Sequence, residues 1–441
     1  MTSSLVVRLT VEPNGERVPA LVHRDSGLPH FYGNLFALMM LRMRGRAAST
    51  VEQALRGIGL LVDFQQRHGV EIQSRMAGGR LFATHEIDAL VAHLRQSLVS
   101  SPGDRHGGGV TALAAARRRK MGLVQPHVSA TRVIYVAQFL KWYTDLVLRN
   151  LALTPAKAAQ LSQVVARDIQ ALHVRREVVE PKVGRRESLT AEQKALMLEL
   201  TTVEGLRNPW KSSFVQQRNA LMVRWLLGLG LRRGELLGIT LDQINLRVGT
   251  VDIILRPDDA LDPRRNQPNA KTRERRLELP KDLVAATHEF ITAWRSKIKT
   301  ARKHGFLFVS QGGAPLSLDA VASVFLEIRR AAGGHLPALT AHVLRYTWND
   351  EFSAYCDRHK VAPQDERRHR EYLMGWAPDS EAAAIYTKRH IEEAARRALL
   401  AMSERETNLS TGEEKNERDT ETEDAGTTGQ GDNPQRRGVR P

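Results

Sequence analysis

The sequence contains very little of what builds disulfides or metal sites. Cys356 is the single cysteine in 441 residues, so an internal disulfide is excluded. One cysteine and scattered histidines give no structural zinc pattern, and any catalytic electrophile must therefore be organic. The sequence also has neither a glycine-rich phosphate loop nor an acidic cluster suited to two-metal chemistry. It therefore predicts no metal and no cofactor.

Long apolar runs and a secretion signal are also absent. No stretch approaches the ~20 apolar residues of a membrane-spanning helix, and Met1-Thr2-Ser3-Ser4 lacks the basic-then-apolar layout of a signal peptide. We expect a protein of the reducing cytoplasm with no membrane partner.

Acidic residues are in the minority: 49 Asp and Glu against 65 Lys and Arg give a formal charge of +16. This excess favours a nucleic acid partner, because the basic residues are not gathered on one amphipathic segment that could bind an anionic membrane.

Length and composition predict several domains. The chain is long enough for two or three, and 42% hydrophobic residues can form real cores. Alternation of apolar residues around a Pro13-Asn14-Gly15 turn predicts a strand pair near the start, and helical periodicity begins near Thr50. Strands are also predicted over Val251 to Leu255 and over Arg275 to Leu279. The predicted divisions are an N-terminal segment with short strands (1–45), a helical DNA-binding domain (46–175), a linker (176–187), a second domain (188–402) and a disordered tail (403–441).

Two basic runs are candidates for DNA contact. Such runs are usually solvated helix faces or linker charges. Here the large positive charge of the whole chain favours contact with phosphates. The predicted DNA-binding residues are Arg117, Arg118, Arg119, Lys120, Arg185 and Arg186.

Five short motifs in the second half carry cations, proton-transfer groups and one tyrosine. They are Gly230 to Leu236 (GLRRGEL), Ala270-Lys271-Thr272, His342 to Thr347 (HVLRYT), Leu373 to Trp376 (LMGW) and Ile385-Tyr386-Thr387. These motifs resemble the catalytic boxes of the tyrosine recombinase (phage integrase) family. The resemblance implies a mostly α fold with a small β-sheet, in which a helical N-terminal core-binding domain precedes an α+β catalytic domain.

The resemblance also implies which residues are catalytic. They are Arg232, Lys271, His342, Arg345, Trp376 and the nucleophile Tyr386, with Glu235 in a supporting position. Arg232 and Arg345 would hold the scissile phosphate, since a guanidinium makes paired, charge-assisted hydrogen bonds to phosphate and keeps its proton. Lys271 would protonate the departing 5′ oxygen, and the nearby Arg273, Arg275 and Arg276 remain alternatives for that role.

The other residues that the resemblance implies have chemistry that suits these roles. His342 lies three residues before Arg345, so both can address one phosphate from the same helix face. Trp376 can donate a hydrogen bond through its indole N–H but cannot transfer a proton, which gives it a positioning and packing role. Tyr386 has a phenol of reference pKa ~10, and it needs the cationic site to stabilise the developing phenolate. Tyr372 and Tyr355 are nearby alternatives for the nucleophile.

These features predict a site-specific DNA recombinase. It would act on double-stranded DNA as a homotetramer that holds two duplexes, in the integration or excision of a mobile element, with DNA-bending or recombination proteins as accessory partners. A helix over 391–402 would dock on a neighbouring subunit. One alternative is a type IB topoisomerase, which uses a similar site as a monomer. The other is an accessory protein that keeps the fold and binds DNA without cleaving it.

Overall fold

The computed structural model describes most of the chain. The described residues are 4–97, 122–150, 153–177, 188–268, 272–378, 395–396 and 399–403. The basic run Arg117 to Lys120, the linker residues from 178 to 187 and the predicted tail from 404 onward lie outside these ranges. Within the described ranges, none of the helices has the length and apolar character needed to cross a membrane.

The chain begins with a β-hairpin, as the alternation predicts. Strands β1 (Leu5–Val11) and β2 (Arg17–His23) pair antiparallel, with Val7 opposite Leu21. The turn between them requires Gly15, whose φ is +87°. A short helix α1 (Phe31–Phe36) and one π-helical segment (Ala37–Arg42) follow, and neither was predicted.

The first hydrophobic core is helical. It is built from α2 (Ala48–His68), α3 (Ile72–Ala77), α4 (Thr84–Leu94), α5 (Pro126–Asn150) and α6 (Pro155–Val174). Ala54, Ile58 and Leu61 lie fully buried on one stripe of α2, at the predicted helical spacing. The hairpin joins this core through Leu5 and Leu21, so it packs with the helices that follow it.

The second core combines helices with a small sheet. Its helices are α7 (Ala191–Leu200), α8 (Ser213–Leu229), α9 (Arg233–Gly238), α10 (Lys281–Glu289), α11 (Leu318–Ala331), α12 (Ala341–Arg358) and α13 (Pro363–Met374). Strands β3 (Ile244–Asn245), β4 (Thr250–Ile253) and β5 (Arg275–Glu278) form one antiparallel sheet in the order β3-β4-β5. The fold is therefore mostly α with small antiparallel sheets, which confirms the predicted fold class.

Strand β4 is shorter than predicted. We expected Leu255 to continue the alternation of Val251 and Ile253, but the strand ends at Ile253. The backbone N–H of Leu255 instead donates to the Glu274 carboxylate at 3.0 Å, and the Leu255 side chain is exposed. A connection of residues 254–274 then joins β4 to β5, and we call it the β4–β5 connection.

The hairpin also contacts the second half of the chain. Arg17, at the start of β2, donates to backbone carbonyls of the β4–β5 connection, and Arg42 forms an ion pair with Asp258. Arg265 returns a hydrogen bond to the carbonyl of Leu9 at 3.1 Å. The hairpin and Arg42 therefore contact both the first hydrophobic core and the β4–β5 connection.

Candidate active site

A tight turn presents Arg232 between two helices. Helix α8 ends at Leu229, and Gly230 adopts the left-handed conformation at φ +60°. A β-carbon at Gly230 would lie 2.9 Å from both Met374 Cε and Trp348 Cδ2, so only glycine fits there. Glu235 in the first turn of α9 accepts the backbone N–H of Arg232 at 2.9 Å. The chain therefore orients Arg232 as a helix begins.

Glu235 is the centre of a buried cluster of arginines. Its carboxylate lies 3.0 Å from Arg275 Nη2, 3.6 Å from Arg232 Nη1 and 3.8 Å from Arg345 Nη1. It also accepts the hydroxyl of Thr272. Burial pushes the pKa of Glu235 upward, but Arg275 and Arg345 more than offset it, so the pKa lies below its usual value. One carboxylate facing three guanidinium groups leaves the cluster with a net positive charge.

Arg232 and Arg345 differ in what surrounds them. Arg345 is buried on α12 and donates to the carbonyls of Gly230 at 2.7 Å and Met374 at 3.0 Å. Arg232 is half-buried, and its Nη1 makes no hydrogen bond within the described part of the chain. Burial lowers the pKa of Arg232, and the nearby Glu235 opposes this shift. A desolvated cation that lines a cleft suits an anionic ligand.

His342 lies on the same helix as Arg345 but is exposed. Thr340 caps the start of α12 by accepting the N–H of Val343 at 3.3 Å, and the His342 ring lies 4.4 Å from the Tyr346 ring between centroids. His342 and Arg232 both line a cleft of about 830 Å³ between the two halves of the chain. Arg56 and Glu52 of α2 line it from the other side. The structure thus brings two of the predicted residues to one surface.

Trp376 follows a second constrained glycine. Gly375 has φ +63°, and a β-carbon there would lie 2.6 Å from Arg275 Nη1 and 2.8 Å from the Arg273 carbonyl oxygen. The half-buried indole lies beneath the Arg345 guanidinium, 5.6 Å from its carbon to the ring centroid. This contact is consistent with a packing role for Trp376 next to the arginine cluster.

Several predicted residues lie outside the described ranges. They are Lys271 and Tyr386, and the candidate DNA-binding residues Arg117, Arg118, Arg119, Lys120, Arg185 and Arg186. Their roles stay predictions. Thr272, which directly follows Lys271, is buried against Glu235. The chain on the C-terminal side of Lys271 therefore enters the arginine cluster.

Arg275 has a part in the site that the sequence analysis did not assign. It donates to Glu235 and, at 2.7 Å, to the carbonyl of Leu373, which links β5 to the end of α13. Strand alternation gave a usable signal, because Arg275 and Leu277 face the interior whereas Arg276 and Glu278 face outward. An arginine on the inner face of a strand needs a buried partner, and Glu235 provides it.

Comparison with known proteins identifies the second half of the chain. Residues 197–393 match the family model described as the phage integrase family. Tyrosine recombinase XerD of Halalkalibacterium halodurans is 27% identical over 156 residues, which are 35% of this chain and 46% of that protein. The match thus spans about half the length of this curated relative. Residues 197–393 are therefore similar to the phage integrase family, and the curated relative that matches is a tyrosine recombinase.

Solved structures of recombinases are also similar to this chain. The Tn1549 transposon integrase in complex with circular intermediate DNA is 18% identical, with a TM-score of 0.40 over 68% of this chain and 87% of that one. XerA recombinase is 15% identical, with a TM-score of 0.35 over 84% and 97%. XerH site-specific recombinase bound to difH substrate is 16% identical, with a TM-score of 0.38 over 82% and 93%.

Proposed function

We propose that this protein is a site-specific DNA recombinase that cuts and rejoins DNA through a 3′-phosphotyrosyl intermediate. The observation that carries the proposal is the Glu235 cluster, which fixes three arginines beside a cleft that Arg232 and His342 line. A phosphodiester under attack gathers charge on its non-bridging oxygens, and cations held in place beforehand stabilise that state most. The phage integrase family match over residues 197–393 supports the same chemistry.

Each residue has a defined step in the proposed reaction. Tyr386 Oη gives up its proton to water and attacks the scissile phosphorus, so a P–O bond to tyrosine forms as the bond to the 5′ oxygen breaks. The 5′ oxygen leaves with the proton that Lys271 supplies. Arg232 and His342, which line the cleft, face the charge on the phosphate, and the buried Arg345 adds its positive charge through the Glu235 cluster. Because one phosphoester replaces another, the bond energy is kept for rejoining, and attack by a 5′ hydroxyl from a second duplex completes strand exchange.

The proposed assembly is a homotetramer on two duplexes that serves a mobile element. The C-terminal end supports it: residues 395–396 and 399–403 are helical, and Leu399, Leu400 and Met402 are exposed there. An apolar group of this kind suits docking on another subunit. A type IB topoisomerase, which acts as a monomer, would not need it, and a non-catalytic accessory protein would not need the arginine cluster.

Trapping on a nicked duplex tests the proposal. When cleavage releases a short 5′ end by diffusion, the phosphotyrosyl bond cannot be resealed, and a covalent adduct accumulates. We expect wild-type protein to form this adduct, Tyr386→Phe to bind DNA without forming it, and the exposed control Tyr355→Phe to react like wild type. An undiminished adduct in Tyr386→Phe would move the nucleophile to another residue. The absence of any adduct with wild type would favour the accessory protein.

A further inference from the structure

The carboxylate of Glu235 has hydrogen bonds on both of its oxygens. Oε1 accepts the hydroxyl of Thr272 and, at 3.4 Å, Nη1 of Arg275. Oε2 accepts the backbone N–H of Arg232 at 2.9 Å and Nη2 of Arg275 at 3.0 Å. A carboxylate offers about four acceptor positions, two on each oxygen. All of these positions are therefore in use, and Arg275 occupies one on each oxygen.

The guanidinium of Arg232 is not among these hydrogen-bond partners. Its Nη1 lies 3.6 Å from Glu235 Oε1, which is beyond the ~2.7–3.2 Å of an N–H···O hydrogen bond. The Arg232 side chain is 31% exposed and lines the cleft, whereas the Arg275 side chain is 1% exposed and does not line it. One guanidinium is thus bound to Glu235, and the other lies between Glu235 and the cleft.

The chain around Arg275 holds its guanidinium in this position. Nε donates to the carbonyl of Leu373 at 2.7 Å, and Nη1 donates to the carbonyl of Arg273 at 3.4 Å. Gly375 leaves the necessary room, since a β-carbon there would lie 2.6 Å from Arg275 Nη1. These contacts fix the Arg275 guanidinium against Glu235, on the inner face of β5.

Loss of Arg275 would give Glu235 a different partner. Burial raises the pKa of Glu235, but Arg275 makes the largest opposing contribution and the pKa is lowered, so the carboxylate is charged. A buried carboxylate that loses its partner is strongly unfavourable. A movement of roughly 0.6 Å would bring Arg232 Nη1 within hydrogen-bond distance of it. The tight pair that results would offset the charge that Arg232 presents to the cleft.

We propose that Arg275 is a positioning residue that occupies Glu235 and so keeps the Arg232 guanidinium available to the scissile phosphate. Arg275 does not itself contact the DNA, because it acts through the carboxylate that it binds. Stability alone does not account for the pair, since apolar residues of similar volume often replace a buried ion pair without loss of stability. The inference rests on the proposed function, in which Arg232 faces the charge on the phosphate.

Removal of the Glu235 charge tests this role. We expect Arg275→Met to slow single-turnover cleavage of the nicked duplex by on the order of a hundredfold, the cost of withdrawing one donor from developing charge. Adding Glu235→Gln should restore much of that rate. Glutamine can still accept the backbone N–H of Arg232 through its amide oxygen, but it carries no charge that would bind the guanidinium. Arg207→Met, which breaks the exposed pair with Glu199, is the matched control and should cleave like wild type.

A second double variant tests whether Arg275 acts through Arg232. In the Arg232→Ala background, Arg275→Met should cause little further loss of cleavage, because the group that Arg275 keeps available is already absent. If the two losses add, Arg275 acts independently of Arg232, and the inference is overturned.

The positioning role of Arg275 would also be overturned by an unchanged cleavage rate in Arg275→Met, or by a double variant with Glu235→Gln that is no faster than Arg275→Met. If Arg275→Met does not fold, Arg275→Lys supports the same comparison, because an ammonium lacks the planar fork that binds both Glu235 oxygens. Arg275→Lys should then be slower than wild type and gain rate with Glu235→Gln, and the absence of that gain overturns the inference. Failure of the proposed function looks different, since wild-type protein would then form no covalent adduct on the nicked duplex.

Discussion

At the scale of single residues, the arginines of the site have two different structural roles. Arg345 and Arg275 use their donors on backbone carbonyls and on Glu235, so they hold the turns at Gly230 and Leu373 in place. Arg232 lines the cleft, and its buried Nη1 lies 3.6 Å from Glu235 without a hydrogen bond among the described residues. Substitutions at these positions should therefore differ in what they damage.

We expect Arg232→Ala to lower the cleavage rate by on the order of a hundredfold, the usual cost of removing one donor to developing charge. DNA affinity and the thermal unfolding midpoint should change little, because Arg232 is half-buried and makes few bonds to the protein. Arg345→Ala should lower the cleavage rate and also the thermal unfolding midpoint. It removes two buried hydrogen bonds, each of which contributes roughly 1.5–3 kcal/mol to stability. Single-turnover cleavage, equilibrium binding and calorimetry measure the three quantities.

Arg233→Ala is the matched control for this comparison. Arg233 is exposed and lines the same cleft, so its loss should weaken binding slightly without a separate effect on cleavage. If Arg232→Ala loses binding and cleavage in equal proportion, Arg232 is an ordinary contact to the DNA backbone.

The sequence predicts some of these residues better than others. The motifs place Arg232 and His342 in one site because their local context is distinctive, and the structure brings both to the cleft. The role of Arg275 depends on a carboxylate forty positions earlier, and no local pattern shows that pairing. The contacts of Arg17 are still harder to predict from the sequence, because its acceptors are backbone carbonyls, which every residue has.

At the scale of elements, the sequence predicts a helix cap correctly where the capping hydrogen bonds join residues that are close in the sequence. Thr190 and Gln193, which have the sequence pattern of a capping box, form one at the start of α7, with hydrogen bonds of 3.2 and 3.1 Å. Thr84 is of a residue type that favours the N-cap position, but it is the first helical residue of α4, and Ala83 is the N-cap. Glu86 takes over that function by accepting the N–H of Ala83 at 2.8 Å while it pairs with Arg75 of α3. A contact between helices thus decides where α4 begins.

The Glu86–Arg75 pair gives a pH-dependent prediction. Hydrogen bonds from Arg75 lower the pKa of Glu86 from 4.5 to about 2. A depressed carboxyl pKa stabilises the fold above the unfolded value and is lost as the pH falls towards the folded value. We therefore expect Glu86→Gln to lower the thermal midpoint at neutral pH, with a gap from wild type that stays constant down to about pH 4.5 and narrows below it. A gap that widens on acidification would contradict this assignment.

At the scale of the whole molecule, the net charge of +16 overstates the positive charge at the surface. Many arginines are buried and bind backbone carbonyls, so they organise the protein instead. Burial lowers the pKa of Arg132 and Arg218 to about 10. Arg132, for example, joins α5 to the end of α4 through the carbonyls of Leu94 and Gln96. Composition alone cannot separate these arginines from those on the surface.

Assembly gives the prediction for the whole molecule. The segment up to Met402 carries exposed apolar side chains that can offset the entropy of docking, whereas the sequence beyond Leu409 has too few. Truncation after Met402 should leave cleavage and recombination nearly intact. Truncation after His390 should impair assembly and strand exchange while DNA binding persists. Sedimentation on DNA and recombination assays measure both, and equal recombination by the two proteins would favour a monomeric topoisomerase.

The contact between Arg17 and the β4–β5 connection also limits how this protein can be recombined with its relatives. A chimera joined at the linker (176–187) would exchange the two halves of the chain. It would therefore combine the β1–β2 hairpin of one parent with the β4–β5 connection of the other. The hairpin and the connection fit together only if three contacts are kept. They are the hydrogen bonds from Arg17 to the backbone carbonyls, the close approach of Gly15 to Ala260 and the ion pair between Arg42 and Asp258. Residues 12–42 and 254–268 therefore behave as one inherited unit, although more than 200 residues separate them.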